Sequence, residues 1–211
     1  MDVVFAVDSS TETDASAWTL ILQFINQLID QYYVGQNVRF AFVRYSDQAN
    51  VIFNLNQYSD TNSIKAAVLR VPQVTGGSNP AAVYDVFLRQ ILPAARGPGY
   101  WKVVLLITDQ LQRSAALSQA LSNLQRSVDN WFRLPGVGTA VSGRTLDTGA
   151  LSPYQVTSVN GYRALANSVQ SLHPYICPNP TDITTTPSPP AGEFIFFDCC
   201  LHYLYRFRSR V

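Results

Sequence analysis

Two runs of apolar residues without polar alternation constrain the fold of this 211-residue chain more than any other feature. They are Val3-Val4-Phe5-Ala6-Val7 and Val103-Val104-Leu105-Leu106-Ile107. A strand with one solvated face alternates apolar and polar side chains, whereas a strand inside a parallel sheet is covered on both faces and does not alternate. The runs therefore predict central strands of a mostly parallel α/β sheet with helices on both faces.

The rest of the chain alternates between strand and helix patterns. Four more segments are predicted strands, at residues 38–45, 51–55, 131–137 and 155–159. Apolar residues from Trp18 to Tyr32 recur every three or four positions, which predicts a helix that ends before Gly35. Similar stripes follow, and the predicted order is β-α-β-β-α-α-β-α-β-β-α. This order favours an open, doubly wound, Rossmann-like sheet of six strands.

Composition excludes several classes of protein. Apolar residues make up 47% of the chain and charged residues only 14%, so a disordered chain is excluded. The net charge is +1, and no basic stripe precedes the last residues, which argues against nucleic acid or an anionic membrane as partner. No apolar run reaches the length of about 18 residues that a transmembrane helix needs.

The chain divides into three predicted parts. We expect a domain over residues 1–177, a Pro/Thr-rich linker over 178–193 and an apolar, basic tail over 194–211. The tail is open to three interpretations: an amphipathic patch, an interchain strand or a non-native end. Val3–Val7 is too short for a signal peptide and no basic segment precedes it, so we expect any export signal to lie outside this sequence.

Polar residues with oxygen atoms follow the predicted central strands. Asp8 and Ser10 come directly after the first strand, and Asp109 follows the strand at 103–108. A glycine-rich segment, Thr75-Gly76-Gly77-Ser78-Asn79-Pro80, opens a helix. Carboxylates and hydroxyls at one sheet edge suit a hard cation such as Mg²⁺. The competing interpretation of Asp8 is a carboxylate that caps the following helix.

At this point the sequence resembles the von Willebrand factor type A domain family, with its metal-ion-dependent adhesion site. The likeness covers about residues 2 to 177 and includes the stretch Val38-Arg-Phe-Ala-Phe-Val-Arg-Tyr-Ser-Asp47, Gly136-Val-Gly-Thr-Ala140 and the closing helix before Cys177. The resemblance implies that the strand at 51–55 is the antiparallel edge strand. It also implies that the sheet reverses its strand order between the strands that carry Asp8 and Asp109.

The family's metal motifs are matched with departures. In its Asp-x-Ser-x-Ser motif Asp8 and Ser10 match, but Glu12 stands at the last position. Ser78 stands where the family has threonine, and Asp109 matches, although Gln110 replaces the usual glycine. The resemblance thus implies a site for Mg²⁺, or for Mn²⁺ or Ca²⁺, with the following candidate ligands: Asp8, Ser10, Glu12, Ser78 and Asp109. Since Glu12 departs from the pattern, a degenerate, purely structural site is the alternative.

The family also implies a function. Its cation keeps one coordination position for a Glu or Asp of a partner protein, so we expect a secreted adhesion or matrix module that binds an extracellular protein, such as collagen or another matrix component. The alternative is a structural assembly domain with a vestigial metal site. In related matrix domains the cysteine at position 177 pairs with one before the first strand. This chain has none there, so Cys199, Cys200, another chain or a free thiol remain options.

Enzymatic activity is not expected. Aspartyl phosphotransferases of similar topology have a second Asp two residues after the first, where this chain has Ser10. The only lysines are Lys65 and Lys102, and neither lies near the predicted site. No histidine is placed to form a Ser/His/Asp triad.

Overall fold

The computed structural model describes residues 1–11, 13–35, 37–97, 99–108, 114–127, 132–133, 136–138 and 156–176. The strands among them are β1 (Asp2–Asp8), β2 (Arg39–Tyr45), β3 (Ala49–Phe53), β4 (Lys102–Ile107), β5 (Phe132–Arg133), β6 (Gly136–Gly138) and β7 (Val156–Ser158). The α-helices are α1 (Ala15–Ile29), α2 (Thr61–Leu69), α3 (Pro80–Val86), α4 (Ala115–Ser127) and α5 (Leu165–Ile176). Short π- and 3₁₀-helical turns continue α3 over Phe87–Ile91 and Leu92–Ala94, and a 3₁₀ turn at Tyr162–Ala164 precedes α5.

The strands form one mixed sheet in the order β3-β2-β1-β4-β6-β7, and β5 also pairs with β4. Every pairing among these strands is parallel except that of β2 with β3. This arrangement confirms the predicted α/β class and the antiparallel edge strand. Within the strand predicted at 131–137, the described residues form β5 and β6, and both pair with β4.

The side chains of the central strands divide between two apolar layers. In β1, Val3, Phe5 and Val7 pack with α1, α2 and α5, whereas Val4 and Ala6 pack with α3 and α4. Both sets are almost fully buried, as expected for a strand covered on both faces. The two helical layers therefore explain why apolar and polar residues do not alternate in β1 and β4.

The helix that packs across the centre of the sheet begins at a capped end. The Asp14 carboxylate accepts a hydrogen bond from Ala17 N–H at 2.8 Å, which satisfies one of the free N–H groups of the first turn of α1. Trp18 in that turn donates its indole N–H to the Val71 carbonyl at 3.0 Å. This bond ties α1 to the segment that follows α2.

No helix among the described residues is long and apolar enough to cross a membrane.

A buried ion pair closes the end of the sheet where β1 begins. Arg96 Nε lies 2.8 Å from Asp2 Oδ1, and the two side chains are 10% and 1% exposed. The backbone N–H of Arg96 also donates to Asp2 Oδ2, and its guanidinium donates to the Met1 and Asn37 carbonyls. Arg96 therefore links the segment before β4 to the starts of β1 and β2.

The predicted linker at 178–193 and the tail at 194–211 lie outside the described residues, as does Cys177. The division of the chain at residue 177 stays a prediction.

Arg96→Ala is expected to lower the free energy of unfolding by about 3 kcal/mol, because it leaves the buried Asp2 carboxylate without its charge partner. The backbone N–H of residue 96 still donates to the Asp2 carboxylate in this variant, so the loss of stability is expected near the lower end of the range for broken buried ion pairs. Urea denaturation followed by circular dichroism measures the change.

Lys65→Ala is the matched control, because Lys65 forms an exposed ion pair with Asp30 at 2.7 Å. Its expected cost is below about 1 kcal/mol. A loss for Arg96→Ala no larger than that of Lys65→Ala would contradict the structural role assigned to the Asp2–Arg96 pair.

Candidate metal site

The candidate site lies at the carboxyl end of β1, where the strand order reverses. The chain runs from β1 to β2 on one side and later returns to β4 on the other side of β1. Such reversal points leave a crevice beyond the strand ends, where open α/β sheets bind ligands. Asp8, the last residue of β1, is at this point and is only 1% exposed.

The Asp8 carboxylate accepts hydrogen bonds from three separate segments. Ser10 N–H donates to Oδ1 at 2.9 Å. The Ser78 hydroxyl donates to Oδ2 at 2.6 Å, and the Thr108 hydroxyl donates to the same oxygen at 2.9 Å. The competing expectation, that Asp8 caps the following helix, is not met, because the α1 cap is Asp14.

The pleat of the sheet explains why these side chains meet. Even-numbered residues of β1 and β4 face α3 and α4, and Asp8 and Thr108 continue those two rows. Ser78 lies two residues before α3, on the same side. Parallel neighbours bring Asp8 opposite Tyr45 and place Thr108 directly after the Val7–Ile107 pair.

The glycine-rich loop that carries Ser78 is tied to the loop after β1. Thr11 donates both its N–H and its hydroxyl to the Gly76 carbonyl, at 2.9 and 3.0 Å. Gly76 N–H in turn donates to the Thr11 hydroxyl at 3.1 Å. Gly76 has φ +137°, a backbone conformation that favours glycine. Ser78 itself is exposed, so the rim of the site opens to solvent above the buried Asp8.

Tyr45 lies beside Asp8 and contributes an uncharged phenol to the site. Its side chain is fully buried, and burial together with the Asp8 carboxylate raises the pKa of Tyr45 well above its usual value. The phenol therefore stays protonated at physiological pH and contributes no second negative charge next to Asp8.

The donor set fits a small hard cation. The Ser10 hydroxyl is buried and has no hydrogen-bond partner among the described residues. A buried hydroxyl without a partner costs about 1 to 3 kcal/mol, and coordination to a cation would remove that cost. A hydroxyl that donates its hydrogen to Asp8, as Ser78 does, keeps lone pairs for a cation. No cluster of three or more His, Cys, Asp or Glu residues that could hold a metal ion is present in the described part of the chain.

The structure brings some of the candidate residues together. Asp8 and Ser78 are in direct contact, and Ser10 contacts Asp8 through its backbone N–H. Glu12 and Asp109 lie outside the described residues, so their places in the site stay predictions.

Sequence reasoning missed two residues of the site. Thr108 contacts Asp8 directly, and the signal for it was its position next to Asp109 at the end of a buried strand. Asp47 accepts a hydrogen bond from Gly77 N–H at 3.0 Å and so contacts the Ser78 loop. Nothing in the local sequence connects Asp47 to a loop 30 residues away.

Comparison with known proteins agrees with the geometry. The family model described as von Willebrand factor type A domain matches residues 2–171. Mouse matrilin-3 is 30% identical over 115 residues, which are 52% of this chain and 24% of matrilin-3. Chicken matrilin-1 is 25% identical over 184 residues, which are 84% of this chain and 36% of that protein. Human collagen alpha-6(VI) chain is 32% identical over 114 residues, 52% of this chain and 5% of the relative.

Solved structures show the same fold. Proximal thread matrix protein 1 from the mussel byssus superposes with a TM-score of 0.70 at 24% identity, covering 83% of this chain and 46% of that one. Another structure of the mussel protein, with a TM-score of 0.66 at 23% identity, is described as having a zinc-occupied MIDAS motif. It covers 81% of this chain and 44% of the mussel chain.

The chain spans well under half the length of these matrilin and collagen relatives. The match to the family model nevertheless runs from the first strand into the last helix. This chain belongs to the von Willebrand factor type A domain family and is related to the matrilins and to a collagen VI chain.

Proposed function

We propose that this domain is a non-enzymatic adhesion module that binds an extracellular protein through a divalent cation held at the Asp8 site. The observation that carries the proposal is the buried Ser10 hydroxyl, which has no partner among the described residues and follows a carboxylate at a strand-reversal point. A bound ion is one of the explanations for such a group, and the adjacent Asp8 carboxylate favours it at this position.

The proposed ligands are Asp8, Ser10 and Ser78, with Glu12 and Asp109 completing the set as predicted from the sequence. Mg²⁺ is the proposed cation, because carboxylates and hydroxyls suit it and waters fill its remaining positions. Three carboxylates would bind the cation more tightly than two, but they would also reduce its attraction for an acidic ligand. Glu12 is therefore the residue of this set that sets the balance between holding the cation and binding a partner.

When bound, the cation supplies a coordination position for a carboxylate of the partner protein. The chain's own residues have two tasks in this arrangement. The buried Asp8 supplies negative charge on the protein side of the cation, while the exposed Ser78 loop forms the rim that a partner contacts. Kinship with matrilins and with a collagen VI chain supports an extracellular setting and a matrix component, such as collagen, as the partner.

A second candidate is a structural assembly domain with a vestigial metal site. One observation favours it: three hydrogen bonds already surround the Asp8 carboxylate. These bonds already use lone pairs of the carboxylate that a cation would otherwise contact. In this alternative, contacts with other matrix proteins come from helix faces and are independent of metal.

Mg²⁺ is expected to stabilise the wild-type domain relative to EDTA. At a free concentration ten times the dissociation constant, for example 1 mM against about 0.1 mM, binding adds about 1.4 kcal/mol of stability. For a domain of this size that gain raises Tm by about 3 to 6 °C, which differential scanning fluorimetry measures.

Asp8→Asn and Ser78→Ala are expected to abolish most of this increment, because the first removes the negative charge next to the cation and the second removes a hydroxyl ligand. Ser122→Ala, which removes an exposed hydroxyl on α4, is the control and should keep the full increment. If Tm of the unaltered domain is the same in EDTA and in Mg²⁺, the metal-dependent function is wrong.

Binding to a matrix ligand discriminates between the two candidate functions. Solid-phase binding of the domain to immobilised fibrillar collagen is expected in 1 mM Mg²⁺, with at least a tenfold loss in EDTA or with Ser78→Ala, because the partner's carboxylate then lacks its coordination position. Equal binding in Mg²⁺ and EDTA would instead support the assembly role. No binding in either buffer would exclude fibrillar collagen as the partner.

A further inference from the structure

We propose that Asp47 is a positioning residue of the metal site, which fixes the glycine-rich loop so that Ser78 meets the cation. Asp47 lies in the exposed turn between β2 and β3, outside the set of candidate ligands. This inference rests on the proposed function and adds the residue that organises one wall of the site.

Hydrogen bonds from the Asp47 turn hold the residues on both sides of Ser78. Before Ser78, Gly77 N–H donates to Asp47 Oδ1 at 3.0 Å. After it, the Asn79 side chain donates to the Asp47 carbonyl at 3.2 Å, and Asn79 N–H donates to the Ser46 carbonyl at 2.9 Å. Both chain neighbours of Ser78, Gly77 and Asn79, are therefore held in place by hydrogen bonds.

The carboxylate of Asp47 also occupies the space that side chains at the two glycines would need. A Cβ on Gly77 would lie 2.7 Å from Asp47 Oδ1, closer than real Cβ contacts allow. A Cβ on Gly76 would meet Asp47 Oδ2, and Gly76 also has a positive φ. Gly77 has no positive φ, so the consequence of a side chain there is that the Asp47 carboxylate would have to move. Asp47 and the glycine pair are therefore a matched set.

The turn that carries Asp47 is itself anchored to the metal site. It follows Tyr45, the residue opposite Asp8 in the pairing of β1 with β2. Ser9 donates both its N–H and its hydroxyl to the Tyr45 carbonyl, at 2.8 and 3.0 Å. These bonds and the pairing of β1 with β2 fix the position of the Asp47 carboxylate relative to Asp8. Because Gly77 is hydrogen-bonded to Asp47, the glycine-rich loop is held in a fixed position as well. The result is the 2.6 Å contact of Ser78 Oγ with Asp8 Oδ2.

The test is the Mg²⁺ affinity of Asp47→Ala, Asp47→Asn and Asp85→Ala, measured by isothermal titration calorimetry on the full chain. Asp85→Ala removes an exposed carboxylate on α3 and is the matched control. Asp47→Ala is expected to weaken Mg²⁺ binding by about tenfold or more, which is the usual effect of losing a residue that orients a metal ligand. Asp85→Ala should bind within about twofold of the unaltered chain, because a single exposed charge away from the site is screened.

Asp47→Asn separates positioning from charge. The amide oxygen of asparagine still accepts the Gly77 N–H, so a positioning role predicts affinity within about threefold of the unaltered chain. A loss as large as that of Asp47→Ala would show that Asp47 acts through its charge and would overturn the positioning role. In EDTA, Tm of both variants should lie within about 2 °C of the unaltered chain, because the Asp47 side chain is exposed. A loss of Mg²⁺ affinity without a loss of Tm is then a local effect on the site and not a general loss of stability.

A double-mutant cycle with Gly77→Ala tests the matched set directly. Gly77→Ala alone is expected to weaken Mg²⁺ binding, because the new Cβ displaces the Asp47 carboxylate. In the Asp47→Ala background the same substitution should cost little more, since the clash and the hydrogen bond are already gone. Additive effects would overturn the proposed coupling.

Different results would overturn the role of Asp47 and the proposed function. If the unaltered chain binds Mg²⁺ and Asp47→Ala binds it equally well, only the role of Asp47 is overturned. If the unaltered chain shows no Mg²⁺ binding, the proposed function is overturned and the role of Asp47 falls with it.

Discussion

The structure depends on one buried carboxylate at the end of its central strand. Asp8 is withdrawn from water and holds three donors from three segments: the loop after β1, the glycine-rich loop before α3 and the end of β4. An ionised carboxylate is costly to bury without such partners, so its burial and the convergence of the loops require each other. The two apolar layers on either side of the sheet fix the strand ends from which these loops start.

The opposite end of β1 shows a different use of the same chemistry. There the Asp2 carboxylate is paired with the positively charged Arg96 guanidinium, and the Arg96 backbone N–H donates to its other oxygen. At the Asp8 end, the described donors are neutral hydroxyls and a backbone N–H, so the negative charge remains uncompensated within the described residues. This contrast between the two ends of a single strand supports a cation at one of them only.

Two features bear on how a partner would be recognised. The exposed Ser78 loop stands on the solvent side of the buried Asp8, and Asp47 holds it from the outside. In mouse matrilin-3 and in the human collagen alpha-6(VI) chain, the region that matches this chain is 24% and 5% of the protein.

Local sequence determined most of the fold, because the unbroken apolar runs of β1 and β4 and the helical stripe of α1 leave few alternatives. The sequence also drew attention to Asp8 and Ser10, which directly follow a buried strand, and to Ser78, in a glycine-rich loop that resembles the family's second metal motif. The structure brings these residues together, and their role as ligands stays a prediction. Only the tertiary structure decided that Thr108 shares the Asp8 carboxylate, that Asp14 and not Asp8 caps α1, and that Asp47 fills the space beside Gly77. These contacts join residues from separate loops, and their distances depend on strand register and packing, which no local pattern encodes.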